Sequence, residues 1–576
     1  VAGRSIYLQR RLLGTANFGG HPSAEVEMLK RLQRLIGAVR NLFGDEEWDI
    51  EWADDGSTCW LLQIRPITTP PRRNEAFTYA NIREIMPDPP SLFMSTIVAR
   101  SSADLFAYYR QFDSSLPEKR PMIEMFAMRP LFNISLLVDM MRWWGLPSSL
   151  VTNSIGGQAD QESRLNFSRF LLKAPVLLKQ GWAQLTAVGS SQRATEEIMT
   201  LAKESGPTLT ENALALQKLF VALVTEMFNL TAALSGPLLI LRLTDTLSAH
   251  NRRNRTITTE MYTDLEPLRH MVAAEPDLLK ALRQGDVPAH YGFQIVWQAW
   301  LDKHGRRGVY ESDIARPRYH EDPSGILKSL GRRMPQTGEA PSRSLLEWLT
   351  LPVWWQCQRV LSAREWWRYH SMDAYDILRQ KIIDRGEHFV STGQLSSISR
   401  LWDLTPAEWE TLEKGQHLDA AFWETRQAKI KDAASYDFPD LIYRMDDLES
   451  FRPDAQGAQG DQPQRLSGVS LTDGNIQGKA WVLREPETSL PNDFDPDHTI
   501  LIARSVDAGW IPTFSLVSGV AVEIGGDLSH GSIILREIGL PAITNVQHLT
   551  RGIQTGDHIS LRAGSGIVEI IERDPA

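Results

Sequence analysis

Apolar positions along the chain fall into three textures. Up to about residue 70 they end in two short runs, Asp49-Ile50-Glu51-Trp52 and Cys59-Trp60-Leu61-Leu62-Gln63-Ile64-Arg65, joined by Asp55-Gly56. Such runs around a glycine turn predict a β-hairpin, and Pro66, Pro70 and Pro71 then mark a boundary. From about 75 to 450 apolar residues recur at spacings of three and four, with breaks at Gly and Pro. The segments 118–146, 208–235, 290–304 and 362–385 are predicted as helices on this pattern. Residues 452–467 hold no aromatic and no large aliphatic side chain before Leu466, the composition of a flexible linker. Beyond it come short Val- and Ile-rich runs at 478–483, 499–503, 519–524, 541–543 and 558–561, with one helix at about 531–538. The expected fold class is multidomain α+β. Its parts are an N-terminal segment 1–72, a large mostly α-helical domain 73–451, a tether 452–467 and a β/β/α domain 468–576.

Composition narrows this picture. At 576 residues the chain is too long for one hydrophobic core, and a net charge of −10 gives no reason to expect nucleic acid. Cys59 and Cys357 are the only cysteines, so a disulfide framework is excluded and a cytoplasmic location is the default. The first residues lack the apolar core of a signal peptide. Leu219–Leu241 is long and apolar, but Glu226, Asn229 and Pro237 interrupt it, which favours a buried helix over a membrane span. The 18 tryptophans include the pairs Trp143-Trp144, Trp354-Trp355 and Trp366-Trp367, the makings of a large core or of an aromatic pocket.

The segment Glu523-Ile524-Gly525-Gly526-Asp527-Leu528-Ser529-His530-Gly531 carries the most chemistry. A strand runs into a Gly525-Gly526 turn that lets backbone approach a ligand, and Ser529 suits the cap of the following helix. His530 then falls in the first turn, where free N–H groups and the helix dipole favour an anion. A phosphoryl group on imidazole is such an anion. The same dipole disfavours imidazolium and leaves a neutral nitrogen as nucleophile. A lone histidine in this position would otherwise read as a capping or core residue.

Residues 468–569 resemble the swivelling phosphohistidine domain of the phosphoenolpyruvate-utilising enzymes. The matching residues are Val506-Asp507-Ala508-Gly509-Trp510, then Gly525 through Ala542 on a GG-x-SH-x-x-I-x-x-RE-x-G-I-P-A pattern, then Gly556-Asp557-His558-Ile559 and Gly566-Ile567-Val568. Val506 and Ala508 replace the usual Thr and Pro, and Asn545 stands where Gly is common. The resemblance implies that His530 carries a phosphoryl group, with Gly525, Gly526 and Ser529 supporting the loop.

Asp49-Ile50-Glu51-Trp52 with Leu62-Gln63-Ile64-Arg65-Pro66 is similar to the closing hairpin of the same family's ATP-grasp domain. Carried across, Glu51 and Gln63 bind the Mg²⁺ that accompanies ATP and Arg65 contacts phosphate, and their oxygen and guanidinium chemistry suits those roles. Without the resemblance, a Glu and an Arg on a hairpin would read as a surface ion pair. Only a remnant of about 70 residues, of a domain of roughly 300, is legible. The chain is therefore expected to need a nucleotide lobe beyond these residues, either in a longer polypeptide or as a separate ATP-grasp subunit, and not to load itself from ATP. No (β/α)8 barrel follows residue 576, so pyruvate is not the expected acceptor.

The middle of the chain resembles the antibiotic-binding domain of the rifampin phosphotransferases, through His304-Gly305-Arg306-Arg307-Gly308-Val309-Tyr310-Glu311-Ser312-Asp313 with Pro317-Arg318-Tyr319, and through Arg364-Glu365-Trp366-Trp367-Arg368. Arg364 and Arg368 share one helical face and are placed to meet an incoming phosphohistidine together. Arg306, Arg307, Glu311 and Asp313 are candidates for the acceptor site, though the same charges equally suit a scaffold of ion pairs. His304, His320 and His370 are candidate general bases. The implied activity is ATP-dependent phosphoryl transfer, through His530, to a hydroxyl of a bulky, aromatic small molecule. The alternatives are a condensing enzyme of the prodigiosin-synthase type, a phenylphosphate-synthase-like subunit, and a non-catalytic binding module.

Overall fold

The computed structural model describes residues 23–574 apart from 44–47, 67–74, 87, 117–119, 150–164, 245, 247–249, 251–259, 262, 332–342, 440, 445, 453–464, 488–489 and 526–529. It divides into two compact units, Val1–Asn74 and Glu75–Ala576.

In the first unit α1 (Ser23–Phe43) precedes the antiparallel strands β1 (Trp48–Asp54) and β2 (Cys59–Pro66). The turn falls at Asp55-Gly56, as the apolar runs foretold. Gly56 has φ +92°, a left-handed conformation that favours glycine, and the Asp55 carboxylate accepts the N–H groups of Ser57 and Thr58. Arg31 of α1 grips Asp54 through two hydrogen bonds of 2.7 Å.

The second unit opens on a four-stranded antiparallel sheet of β3 (Ala76–Thr78), β4 (Ile123–Phe126), β5 (Arg129–Asn133) and β6 (Leu441–Tyr443), in the order β4-β5-β3-β6. Pairing of β3 with β6 brings together the two ends of the helical region. This corrects the expectation of helix across 118–146, where helix begins only at Ile134. Strands of three to five residues are too short to display a period of two against a helical background.

The helices that matter for the site are α2 (Leu92–Arg100), α3 (Ala187–Glu204), α4 (Leu209–Leu243), α5 (Tyr291–His304) and α6 (Leu351–Ser391). Among the described residues α4 alone is long and apolar enough to cross a membrane. It packs against α3 and α6, burying Leu219, Leu230, Leu234 and Leu241. The tryptophan pairs split: Trp144, Trp354 and Trp367 enter the core, while Trp143 and Trp355 face outward.

In α6 the buried stripe changes character along its length. Leu351, Trp354, Cys357, Val360 and Leu361 are followed on the buried side by Arg364, Glu365, Ser371, Asp373, Asp376 and Arg379. A helix that buries charge in mid-course is paying desolvation for something other than packing.

The C-terminal sheet has eight strands in the order β7-β14-β13-β9-β10-β11-β12-β8. They are β7 (Arg465–Ser467), β8 (Val469–Ser470), β9 (Asn475–Leu483), β10 (Thr499–Ala503), β11 (Gly519–Val522), β12 (Ala542–Thr544), β13 (His558–Arg562) and β14 (Ile567–Glu572). Strands β9 to β12 run parallel, and β10 and β11 are buried at every position, as expected for strands covered on both faces. Between β11 and β12 lies α7 (His530–Ile538). Most of the 452–467 tether, residues 453–464, lies outside the described residues, whereas 465–467 already belong to the sheet as β7.

Candidate active site

The C-terminal domain sits against the helical domain within the second unit. Residues 261–330 and the domain share one apolar core, in which Trp297, Tyr319 and Leu330 join Leu501, Trp510, Phe514 and Leu535. Around it lies a polar rim. Asp437 takes Arg504 and Arg551, the latter at 2.8 Å, Ser505 Oγ donates to Arg83 O at 3.1 Å, and Arg316 pairs with Glu485 at 2.6 Å. Arg83 and Arg129 both turn to Asp88, at 3.4 and 2.5 Å, beneath this rim.

At the centre, the loop after α5 meets α6 and the segment Val506–Trp510. Arg307 and Glu311 form a fully buried two-point pair with both distances 2.5 Å. Burial would raise the Glu311 pKa, but the charge and hydrogen bonds of Arg307 outweigh it and hold the carboxyl well below the usual range. Arg318, also fully buried, donates Nη1 to Glu311 O at 2.9 Å. Arg368 Nη2 lies 3.6 Å from Glu311 Oε1. Arg368 Nε and Nη2 and Arg318 Nε and Nη2 are buried with no hydrogen-bond partner among the described residues. Guanidinium N–H groups left open in a dry site form a receptor for an anion. Arg364, buried beside Glu365 at 3.5 Å, adds a further cation one turn before Arg368.

Asp507 faces this cluster from the C-terminal domain. It is almost wholly buried, its Oδ2 accepts the Tyr310 N–H at 3.1 Å across the contact, and its Oδ1 accepts the Gly509 N–H at 2.9 Å. Burial, and next the Glu311 charge, push its pKa up to about 7 against the pull of Arg368. Two glycines make the approach feasible. A Cβ on Gly509 would lie 2.5 Å from Val309 Cα, and one on Gly531 would lie 2.3 Å from Val506 O. The first turn of α7 thus rests on the residue that precedes Asp507. His530 opens that turn; its side chain, Gly526 and Ser529 lie outside the described residues. Gly525 O accepts from Thr544 Oγ1 at 3.1 Å.

The other residues singled out in the sequence have assigned partners. Asp313 accepts the Ser91 N–H and hydroxyl at 2.7 Å each, tying the loop to the start of α2. Arg306 is exposed and pairs with Asp373 at 3.2 Å. His304 is buried, with Asp264 at 2.8 Å and Tyr369 at 3.0 Å on its two nitrogens, and burial lowers its pKa. His320 meets Asp376 and His370 meets Asp373, each at 3.0 Å. In the first unit Glu51 and Gln63 are directly opposed across the hairpin and both exposed. Arg65 pairs by its backbone with Asp49, and its side chain lies outside the described residues. Sequence reasoning passed over Asp507 and Arg318, although both fall in segments it had marked. An Asp before Ala-Gly-Trp and an Arg after Pro were the available signals.

Residues 495–566 match the PEP-utilising enzyme mobile domain, and residues 215–345 match the rifampicin phosphotransferase fourth domain. The chain is 24% identical to a rifampicin phosphotransferase of Streptomyces sviceus over 55% of its length and 40% of the relative's. It is 22% identical to that of Bacillus subtilis, covering 94% of this chain and 68% of the relative. Against the prodigiosin synthesizing transferase PigC of Serratia marcescens it is 25% identical, over 96% of this chain and 71% of the relative. The chain thus spans less than half the length of the first of these relatives.

Proposed function

We propose that this chain, which carries the mobile domain of the PEP-utilising enzymes, is the carrier and acceptor part of an ATP-dependent phosphotransferase. In the first half-reaction an imidazole nitrogen of His530 forms a bond to phosphorus as a P–O bond of ATP breaks. In the second an acceptor oxygen takes the phosphoryl group as the N–P bond breaks, and the freed imidazole nitrogen takes the hydroxyl proton. The observation that carries this reading is that the first turn of α7 rests on Val506, next to Asp507, whose carboxyl feels the charge of Arg368, a buried guanidinium with N–H groups that lack a hydrogen-bond partner among the described residues. Phosphoryl transfer puts charge on peripheral oxygens, so fixed cations in a dry site supply most of the stabilisation. The acceptor is a bulky, aromatic hydroxyl compound held in the tryptophan-rich helical domain.

Glu51 and Gln63 suit a hard cation, since they offer oxygen ligands side by side on one exposed face. They would hold Mg²⁺ at the edge of a nucleotide lobe completed by further polypeptide, in which Mg²⁺ would screen the charge of ATP. Incubation with phosphoramidate, a small phosphoryl donor, tests the carrier step. Intact mass spectrometry should show one acid-labile phosphoryl group, mapped to His530, which an aromatic alcohol then removes. No label on His530 would overturn the reading. Replacing Arg368 with Gln is expected to slow the second step about 100-fold with loading unchanged, as followed by the decay of the phosphohistidine signal.

A second reading is favoured by the near-complete coverage of this chain by the Serratia transferase. Here phosphorylation activates the oxygen for loss during a condensation. Release of inorganic phosphate with a coupled product, rather than a stable phosphate ester, distinguishes it.

A further inference from the structure

The docked domain places one carboxylate where no packing argument wants one. Asp507 is nearly inaccessible, and it reaches across the contact to a backbone N–H of the other domain. The groups acting on it are Glu311, Tyr310 and Tyr319 on the loop after α5 and Arg368 on α6. Arg307 is committed to Glu311 by two hydrogen bonds. Of these the one carboxylate, Glu311, repels an ionised Asp507, and the one cation, Arg368, is the group the phosphoryl oxygens also need.

We propose that Asp507 is a positioning residue that registers the C-terminal domain on the loop after α5, and that docking is accompanied by uptake of a proton on its carboxyl. The inference rests on the delivery step proposed above. A neutral Asp507 still accepts one of the Tyr310 and Gly509 N–H groups on its carbonyl oxygen and the other more weakly on its hydroxyl oxygen, so registration is largely kept. It no longer competes for Arg368, and it does not repel the incoming phosphoryl group. Ionisation has the reverse effect and favours departure, working against the apolar core that holds the domain down.

The sign follows from the shift. Undocked, Asp507 is exposed and returns to an ordinary carboxyl pKa of about 3.9; docked, it is pushed up to about 7. The docked form binds the proton more tightly, so docking strengthens as pH falls from about 7 towards 4 and is independent of pH above that window. Between pH 8 and pH 6 the docked-to-undocked ratio should rise about tenfold.

Hydrogen exchange on the full chain reads this directly, because the Tyr310 and Gly509 amides are the donors to Asp507. After correction for intrinsic rates, protection of residues 305–312 and 505–510 should rise about tenfold from pH 8 to pH 6. In Asp507→Asn the pH dependence should vanish while part of the protection remains, since an amide oxygen can accept only one of the two N–H groups well. A further variant guards against mere misfolding by moving the window rather than abolishing it, Arg368→Gln to higher pH. Protection that does not change with pH, or a change that survives in Asp507→Asn, overturns the proposal. His530→Ala should titrate like the parent, so loss of phosphoryl transfer there bears on the carrier reading and not on this one.

Discussion

Replacing His530 with alanine should lower transfer of phosphoryl to the acceptor by at least about a thousandfold, while acceptor affinity changes by less than about twofold. In the proposed scheme the histidine is the covalent bridge between the two half-reactions. Without it the acceptor would need to meet the nucleotide directly, and a large helical domain offers no such route. In the same scheme acceptor affinity is set elsewhere, by the aromatic interior. The comparison is between single-turnover transfer and acceptor binding measured by calorimetry on the same preparations. Transfer within tenfold of the parent would remove His530 from the mechanism, and a large loss of acceptor affinity would make the variant a folding defect.

The second large effect concerns stability. Glu311→Ala leaves Arg307 buried without its carboxylate partner. Breaking a buried ion pair from one side costs about 3–5 kcal/mol, because an uncompensated charge remains in the interior. Removing both members, as in Arg307→Met with Glu311→Leu, should recover much of that loss, since an apolar pair of similar volume escapes desolvation altogether. Urea unfolding of the three variants measures the cycle. A single-variant loss under about 1 kcal/mol would mean that water reaches the pair. The double variant should still transfer poorly, because Arg368 would then lose the carboxylate that orients it.

These expectations separate two roles that the sequence left joined. Arg306, Arg307, Glu311 and Asp313 read equally well as an acceptor site or as a scaffold. The structure shows Asp313 tethering α2, Arg306 at the surface, and Arg307 with Glu311 as a buried pair beneath Arg368. The i and i+4 spacing had already set Arg364 and Arg368 on one face. It carried no information about which N–H groups would remain open, since that depends on acceptors brought from residues 305–322.

What the sequence by itself determined is local. The Asp55-Gly56 hairpin, the five principal strands of the C-terminal sheet, the helix that begins at His530 and the long apolar helix α4 all follow from periods, turn residues and breaks that a few neighbouring residues encode. The first turn of the helix at His530 is also where physical chemistry alone puts an anion. Tertiary structure decided what is non-local. It paired β3 with β6 across more than three hundred residues, divided two of the three tryptophan couples between core and surface, and turned Asp507 from a motif letter into a buried carboxyl beside Glu311. Burial and charge proximity depend on which distant segments meet, and no single stretch of chain carries that information.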